Sequence, residues 1–239
     1  MTKKPIKIVI ISAAGFGEEV LFTIQECNKI YAKYEMLGFI DDNKKFHGKM
    51  INGFPVLGGL EWIGKNSSEI RYVVAIGDGL IRKKIIKKLN KKIKFETIIH
   101  PTVLRYNVSS VGVGSIIQPH CIIEPNAKIG KHVIINIQCN IGHHCILEDF
   151  VTIQPDVHIS GNNKVGEETY VGVSSTTIEN LSIGKKSVIG AGSVVLNDVK
   201  PNSVYIGNPA KFFKKIDIHN RPKLWKYEYS CSCCTSRWW

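Results

Sequence analysis

An aliphatic residue recurs at every sixth position from residue 111 to residue 195, with one threonine as the exception. A six-residue period matches neither the 3.6-residue repeat of a helix nor the two-residue alternation of a strand. It predicts a chain that turns a corner every six residues, so that three segments make one coil and the run makes five coils. The fifteen positions are Val111, Ile117, Ile123, Ile129, Ile135, Ile141, Leu147, Ile153, Ile159, Val165, Val171, Thr177, Ile183, Ile189 and Val195.

Small or β-branched residues stand four positions after most of these aliphatic residues. Such side chains suit the narrow interior of a prism, where bulky ones would not fit. They are Ser115, Cys121, Ala127, Val133, Cys139, Cys145, Val151, Val157, Thr169, Ser175, Ser187 and Ser193.

Residues 6 to 99 show a different pattern, in which short apolar runs alternate with amphipathic segments. The apolar runs at 6–11, 36–40, 72–76 and 95–99 predict strands, and the segments 18–33 and 80–89 predict helices. Buried strands that alternate with helices indicate a small α/β unit. His100 and Pro101 mark its boundary with the periodic region, so the sequence predicts two domains.

The turn after the first predicted strand occupies the place of the dinucleotide-binding fingerprint G-x-G-x-x-G. Ser12, Ala14 and Gly17 stand at the three glycine positions, so only the third glycine is present. The first two glycines permit the tight turn and the approach of backbone to a pyrophosphate, so an NAD site of this kind is not expected. The N-terminus of the following helix still offers N–H groups to a phosphate, although turn geometry alone also explains Gly15 and Gly17.

The net charge of +12, from 32 Lys and Arg against 20 Asp and Glu, favours anionic partners. The lysines are scattered and no aromatic residues interleave with them, so nucleic acid is not expected as a partner. No apolar run approaches the roughly 20 residues that span a bilayer, and the N-terminus lacks the features of a signal peptide. Three of the seven cysteines fall at small interior positions, which predicts reduced thiols and a cytoplasmic protein.

Residues 217–239 form a non-periodic tail that is crowded with cysteine and tryptophan. Cys231, Cys233 and Cys234 have the chemistry to bind a soft metal, but a fourth ligand is missing. We therefore expect a disordered extension or a sequence foreign to the native domain, no metal site, and a functional unit that ends before residue 217.

Hexads that begin with an aliphatic residue and glycine, as at Ile129-Gly130 and Ile183-Gly184, resemble those of the hexapeptide acyltransferases. Together with the N-terminal unit, they make the chain similar to the bacterial nucleotide-sugar acetyltransferases of the NeuD and PglD type. The N-terminal segments that carry this resemblance are 14–20, 37–42, 75–78 and 99–102.

The resemblance covers residues 6 to about 215 and implies a fold class. This is an α/β Rossmann-like domain that binds a nucleotide sugar, over 1–100, followed by a left-handed parallel β-helix over 101–216. The family further implies a homotrimer that binds acetyl-CoA, as a co-substrate, between neighbouring prisms. No metal is needed for the acyl transfer.

Transfer of an acyl group from a thioester to an amine or a hydroxyl needs a base, and histidine suits because its pKa lies near working pH. Spacing alone does not choose among the eight histidines, and the resemblance selects His143. Family members commonly carry an acidic residue directly after the base, where this chain has His144. Both histidines therefore belong to the predicted catalytic site. Glu148, Asp149, an acid from a neighbouring subunit or a backbone carbonyl remains as the replacement for the missing carboxylate.

The resemblance also implies the binding residues. Gly161 would donate its N–H to the thioester oxygen, or would serve only as a tight corner. Lys211 and Lys214 would meet the CoA phosphates, or would be solvated. The pantetheine arm is expected along Gly172, Val173, Ser174, Gly190, Ala191 and Gly192, and the nucleotide sugar along Gly15, Phe16, Gly17, Asp41, Gly77 and Asp78.

Four functions are compatible with the sequence. The first is an acetyl-CoA-dependent N-acetyltransferase that acts on a nucleotide-linked amino sugar in bacterial glycan or lipopolysaccharide biosynthesis. A sugar O-acetyltransferase uses the same base but demands more of it, because a hydroxyl has a far higher pKa than an ammonium. A zinc carbonic anhydrase on the same prism would need two histidines five residues apart, and no pair has that spacing. A non-catalytic trimeric scaffold is the fourth.

Overall fold

The computed structural model describes residues 4–65, 69–89 and 93–216, so the tail predicted over 217–239 lies outside the described residues. The first part of the chain is an α/β unit. Its elements are β1 (Ile6–Ile11), α1 (Gly15–Tyr31), β2 (Tyr34–Ile40), β3 (Met50–Ile51), β4 (Phe54–Gly58), a 3-10 helix (Leu60–Lys65), β5 (Arg71–Val74), α2 (Gly79–Lys88) and β6 (Lys94–Phe95).

The sheet of this unit has the strand order β3-β4-β2-β1-β5-β6, and β1 lies parallel to both of its neighbours. From Ile8 to Ile11, β1 is apolar and buried because both of its faces are covered. Ile8 and Ile10 pack in the same cluster as the apolar side of α1, whereas Val9 and Ile11 pack with the 3-10 helix and α2. The carboxyl ends of β1, β2 and β5 therefore open at one edge of the sheet.

Residues 98 to 206 wind into a prism with three faces, each a parallel sheet. β25 (Lys211–Lys215) adds an antiparallel strand beside β24. The first face contains β7 (Ile98–Ile99), β10 (Ile116–Ile117), β13 (Ile134–Ile135), β16 (Thr152–Ile153), β19 (Tyr170–Val171), β22 (Val188–Ile189) and β24 (Ser203–Ile206). The second face contains β8 (Leu104–Arg105), β11 (Ile122–Ile123), β14 (Asn140–Ile141), β17 (His158–Ile159), β20 (Thr176–Thr177) and β23 (Val194–Val195). The third face contains β9 (Ser110–Val111), β12 (Lys128–Ile129), β15 (Ile146–Leu147), β18 (Lys164–Val165) and β21 (Ser182–Ile183).

Between the faces the chain turns three corners in each coil. We call the corner between the first and second faces the first corner (for example 136–139), that between the second and third faces the second corner (142–145), and that between the third and first faces the third corner (148–151). Each corner from Gly114 to Gly192 carries a residue with left-handed backbone, such as Asn126 (φ 63°), His144 (φ 59°) and Asn180 (φ 63°). Asparagine tolerates this conformation better than most residues, because its side chain can bond locally.

The interior of the prism is lined by the hexad residues and the small residues that follow them, as the six-residue period predicts. Ile117 pairs with Ile135 one coil later, and Ile123 pairs in the same way with Ile141. The prediction of an α/β unit followed by a parallel β-helix is confirmed.

The prism begins earlier and ends later than the hexad run indicates. Ile98–Ile99 pairs with Ile116–Ile117 on the first face, so the prediction of one strand over 95–99 in the α/β sheet is wrong. At the other end, Val204 pairs with Val188. The run of aliphatic residues stops at Val111 because an end coil tolerates an exposed residue, Arg105, at the hexad position.

The two parts of the chain are joined by a fully buried arginine, Arg82, on α2. Its Nε donates to the carbonyl of His132 at 2.8 Å, and its Nη2 donates to the carbonyl of Phe150 at 2.9 Å, both at the third corner. Next to it, Lys83 lies 2.6 Å from carboxylate oxygens of Glu167 and Glu168. α2 is therefore bonded directly to the prism.

Candidate active site

A cleft of about 580 Å³ opens at the carboxyl ends of β1, β2 and β5. Backbone and side chains of the α/β unit form most of its wall, with Phe46 and Leu60 as apolar members. Three residues of the prism's first face and first corner, Ile134, Asn136 and Gln154, complete the lining. The cleft therefore lies between the two parts of the chain, where open α/β sheets generally bind ligands.

The turn between β1 and α1 places Gly15 and Phe16 in the lining of this cleft. Nothing lies within 4 Å of a Cβ built on Gly15, so that position faces open space. Gly17, by contrast, is buried, and a Cβ there would lie 2.2 Å from the carbonyl oxygen of Ser12. Gly17 thus lets α1 pack close to the turn, which is the role of the third glycine in the fingerprint.

Ser12 stands where the fingerprint has its first glycine, and its φ of 111° lies in the region that favours glycine. The turn therefore keeps the glycine-type conformation although the glycine itself is absent. α1 begins after Ala14, whose side chain provides no cap. A ligand phosphate at this helix N-terminus would meet uncapped N–H groups and the positive end of the helix dipole.

Asp41, which the resemblance assigns to nucleotide binding, directly follows β2 and lines the cleft. Its two carboxylate oxygens already accept backbone N–H groups, from Ala13 at 2.9 Å and from Asn43 at 2.8 Å. Asp41 therefore holds the β1–α1 turn against the end of β2. The neighbouring Asp42 also lines the cleft.

Gly77 lines the cleft, but Asp78 does not. The Asp78 side chain is buried and caps α2, accepting from the N–H of Leu80 at 2.8 Å and of Ile81 at 3.1 Å. The structure thus places Asp78 in the framework of the cleft rather than on its surface, because a helix N-terminus needs an acceptor for its free N–H groups. Thr152 of the prism donates its hydroxyl to the carbonyl of Gly77 at 2.6 Å and holds this edge in place.

The predicted base lies elsewhere, at the second corner. His143 and His144 are both exposed, and their Nδ1 atoms are 3.2 Å apart. The Nε2 of His144 lies 3.2 Å from the side-chain amide nitrogen of Asn126, one coil earlier. Glu124 accepts the backbone N–H of His143 at 2.9 Å and so orients the main chain of the base.

Neither acid of the next hexad reaches the imidazoles. Glu148 and Asp149 lie at the third corner, where Glu148 contacts Lys164 at 3.0 Å and Asp149 accepts the N–H of Lys131 at 2.7 Å. The expectation that one of them replaces the missing carboxylate is therefore wrong within the chain, because one hexad moves a residue to the next corner of the prism. His144 and Asn126 are the side-chain partners that the structure provides.

Gly161 lies directly beside His143 at the second corner. A Cβ built on Gly161 would lie 2.5 Å from both Cε1 and Nε2 of the imidazole, so the ring packs against this backbone. The side chain of Glu124 accepts the N–H of His143, which stands 19 positions later in the chain. The residue at the same offset from Gly161 is Gly142, which has no side chain that could accept a hydrogen bond. The Gly161 N–H is thereby left without a side-chain acceptor from that position, next to the imidazole.

A buried polar layer supports this corner. Asn163 is almost fully buried and donates to the carbonyl of Ser160 at 2.8 Å and to the hydroxyl of Thr177 at 2.9 Å. Thr177 in turn accepts the N–H of Ser160 at 3.1 Å. The one threonine in the aliphatic hexads is therefore the partner of Asn163, and together they fix the turn that carries Gly161.

The residues predicted along the pantetheine arm stack at the first corner, in the two coils that follow Asn136 and Gln154. Val173, Ser174, Ala191 and Gly192 are exposed there, whereas Gly172 is buried. A Cβ on Gly172 would lie 2.6 Å from the backbone nitrogen of Ala191, so this glycine permits close stacking of coils. Gly190 serves the same purpose against Ile206, at 2.6 Å, and Lys211 is exposed on β25.

Comparison with known proteins fits this geometry. Residues 7–89 match the family described as the PglD N-terminal domain. Over 218 residues the chain is 30% identical to the GDP-perosamine N-acetyltransferase of Escherichia coli O157:H7, and the match covers 86% of this chain and 96% of the relative. The chain belongs to the PglD/NeuD-like family of bacterial sugar acetyltransferases. The predictions of the family and of an acyltransferase enzyme are confirmed.

Solved structures of this family superpose on almost the whole described chain. The acetyltransferase domain of PglB from Neisseria gonorrhoeae, in complex with acetyl coenzyme A, is 29% identical with a TM-score of 0.81, covering 88% of this chain and 100% of that one. PerB from Caulobacter crescentus, in complex with CoA and GDP-perosamine, is 26% identical with a TM-score of 0.78, covering 87% and 97%. The left-handed hexapeptide β-helix is thereby confirmed as the fold of the second part.

Several residues of this sugar acetyltransferase were missed by sequence reasoning. Asn136 and Gln154 line the cleft and follow hexad residues of the first face at an 18-residue spacing that also includes Gln118. That spacing was a usable signal, since it places three amides at one corner. No comparable indication exists in the sequence for Glu124 and Asn126. Their contacts with the histidines arise because one coil of the prism brings residues that are 18 or 19 positions apart in sequence to the same corner.

Two further observations concern metals and membranes. Among residues 4–65, 69–89 and 93–216, no three His, Cys, Asp or Glu side chains are grouped closely enough to hold a metal ion. In the same ranges, no helix is both long and apolar enough to cross a bilayer.

Proposed function

We propose that the chain transfers the acetyl group of acetyl-CoA to the amino group of a nucleotide-linked amino sugar, in bacterial glycan or lipopolysaccharide biosynthesis. The similarity to an N-acetyltransferase along nearly its full length carries this proposal. It favours the amine over the hydroxyl as acceptor, since the relative is named for N-acetylation of GDP-perosamine. A GDP-linked amino sugar is accordingly the first acceptor to test.

In the proposed mechanism, His143 acts as the general base. Its Nε2 takes a proton from the acceptor nitrogen as that nitrogen attacks the thioester carbonyl. The C–N bond forms, the C–S bond breaks, and the proton passes to the departing CoA thiolate. The Gly161 N–H, beside the imidazole, stabilises the negative charge that develops on the carbonyl oxygen. The closeness of Gly161 to Nε2 supports this pairing, because base and oxyanion donor must both reach the reacting carbonyl.

Acetyl-CoA is proposed to lie along the first corner, past Gly172 to Ser174 and Gly190 to Gly192, with Lys211 near its phosphates. The nucleotide sugar is proposed to occupy the cleft, with its diphosphate at the N-terminus of α1 beside Gly15 and Phe16. This arrangement is supported by the exposure of Val173, Ser174, Ala191 and Gly192, by the open space at Gly15, and by the positive end of the helix dipole.

We further propose that the enzyme works as a homotrimer. Within one chain, the cleft ends at the first corner, at Asn136 and Gln154, while His143 lies at the second corner across the second face. A neighbouring prism that packs its second corner against the first corner of this chain would bring base and acceptor together. Sedimentation velocity is expected to give three times the mass of the 26.7 kDa chain. A cytoplasmic location is expected as well, since four of the described cysteines are free thiols.

The test is a thiol-release assay with acetyl-CoA and a panel of nucleotide-linked amino sugars, GDP-perosamine among them, followed by mass spectrometry of the products. His143→Ala is expected to lower kcat by about 10² to 10⁴, the usual contribution of a general base, with little change in the KM for acetyl-CoA. His158→Ala, which removes another exposed histidine of the prism, is the matched control and keeps normal turnover. Near-normal kcat in the His143 variant would show that the base is a different group.

A further inference from the structure

Three side chains at the second corner, His143, His144 and Asn126, form a row in which each contacts the next. His143 Nδ1 lies 3.2 Å from His144 Nδ1, and His144 Nε2 lies 3.2 Å from the amide nitrogen Nδ2 of Asn126, so a half-turn of this amide would present its oxygen to His144 instead. We propose that Asn126, acting through His144, determines which nitrogen of the His143 ring carries the proton, and so whether His143 can act as a base. This inference rests on the proposed function. Asn126 and His144 are thus positioning residues that stand in for the acid at position 144.

The proposal follows from assigning the ring protons of His143 and His144 in turn. His143 can act as a base at Nε2 only if its single ring proton is on Nδ1. That N–H then donates to His144 Nδ1, which must be an acceptor, so the neutral His144 carries its own proton on Nε2. The Nε2–H of His144 needs an acceptor in turn, and the atom that can provide it is the side-chain oxygen of Asn126.

The opposite arrangement disables the base. In the structure the amide nitrogen of Asn126 faces His144, and in this arrangement it donates to Nε2, so His144 carries its proton on Nδ1. This N–H donates to His143 Nδ1, so the proton of His143 must be on Nε2. Nε2 then has no free lone pair with which to accept a proton from the acceptor. A half-turn of the Asn126 amide exchanges its oxygen and nitrogen with almost no movement of other atoms, so it switches between the two arrangements.

The position of Asn126 makes this half-turn easy. Asn126 is exposed, and its left-handed backbone (φ 63°) places it one coil before His144 at the same corner. When the base takes up its proton, His143 Nδ1–H continues to donate along the chain, so the imidazolium stays oriented. Glu124, bonded to the His143 N–H, adds a negative charge nearby.

Substitutions of Asn126 separate its tautomeric role from a structural one. Aspartate at this position can only accept, so Asn126→Asp is expected to keep kcat at or above the parent value. Asn126→Ala removes the acceptor and is expected to lower kcat about tenfold, as is typical when a partner that orients a functional histidine is lost, while both KM values stay within about twofold. The double variant Asn126→Ala/His144→Glu is expected to recover kcat, because a carboxylate then meets His143 directly.

Asn180→Ala and Asn180→Asp are the matched controls. Asn180 has the same left-handed backbone (φ 63°) at the same corner, three coils later, so the two asparagines share the conformational effects of substitution. Both Asn180 variants are expected to leave kcat unchanged. An unchanged kcat in Asn126→Ala, an equal loss in Asn126→Asp, or a loss confined to KM would each overturn the proposal.

A spectroscopic measurement keeps this test separate from the proposed function. In protein labelled with 15N-histidine, long-range 1H–15N spectra report which ring nitrogen is protonated, and the His143 signals are assigned by their absence in His143→Ala. Asn126→Asp is expected to place the His143 proton on Nδ1, and Asn126→Ala to leave a mixture. Identical tautomers in the two variants would refute the proposal even if no sugar acceptor were found. Failure of acetyl transfer with this tautomer change present would instead count against the proposed function.

Discussion

Replacing Gly161 by alanine tests the packing of the proposed base against the corner backbone. The new methyl group would lie 2.5 Å from Cε1 and Nε2 of His143 and 3.0 Å from its Nδ1. Carbon atoms in contact prefer about 3.5 Å or more, so the imidazole must move by about 1 Å. The ring is the exposed end of a side chain, and this movement therefore costs the fold little.

The expected effect falls on the rate. A displacement of about 1 Å in a catalytic group lowers turnover about 10²-fold, which corresponds to about 2.7 kcal/mol of transition-state stabilisation. We expect Gly161→Ala to lower kcat by this factor, with the free energy of unfolding changed by less than about 1 kcal/mol. Steady-state thiol release and urea denaturation measure the two quantities.

A double variant decides whether the ring is the cause. In the His143→Ala background there is no ring to displace, so adding Gly161→Ala is expected to change the residual rate by less than about threefold. An equal loss in both backgrounds would mean that the methyl group acts on the oxyanion site instead. A kcat within threefold of the parent in the single variant would refute the steric argument altogether.

Two predictions concern stability. Ser12→Gly is expected to raise the free energy of unfolding by about 1 kcal/mol in urea denaturation, because it relieves the strain of a non-glycine residue at φ 111°. Burial, and after it the charge of Arg82, lowers the pKa of His132 to about 4. Its neutral form therefore stabilises the fold fully above pH 6.5, and we expect about 3 kcal/mol to be lost between pH 6.5 and pH 4, a loss that is absent in His132→Asn.

Each of these two predictions has a control. Ala14→Gly changes a neighbouring residue with an ordinary φ of −84°, so it is expected to give no gain, and an equal gain there would remove the strain argument. His158→Asn removes a histidine that is about half exposed, and the parent's pH dependence is expected to persist. If His132→Asn kept the full loss between pH 6.5 and pH 4, other groups would be its source.

The prism was predictable because each hexad position repeats a single physical requirement. In every coil a residue equivalent to Ile135 must fill the same narrow interior, so an aliphatic residue recurs in the sequence every six positions. The ends of the prism were not predictable in this way. An end coil is covered on one side only, so Arg105 interrupts the pattern without interrupting the structure, and the strand Ile98–Ile99 reads equally well as part of the α/β sheet.

The site was predictable where a residue contacts its sequence neighbours. Gly15 and Phe16 line the cleft because the turn that carries them ends β1. Asp78 was expected in the same cleft, but its carboxylate accepts hydrogen bonds from backbone N–H groups at the start of α2 instead. The partners of His143 depend on an 18-residue coil, which brings Asn126 beside His144 and sends Glu148 to another corner.

Arg82 and Thr152 have a consequence for how this enzyme can evolve. Arg82 bonds main-chain carbonyls of the prism, and Thr152 bonds the carbonyl of Gly77 at the edge of the cleft. A recombinant that exchanged the α/β unit at residue 100 would have to hold these carbonyls in the same positions, or the buried guanidinium would be left unmatched. New sugar specificity is therefore expected to arise by substitution inside the cleft, or by exchange of α2 together with the third corner of the prism.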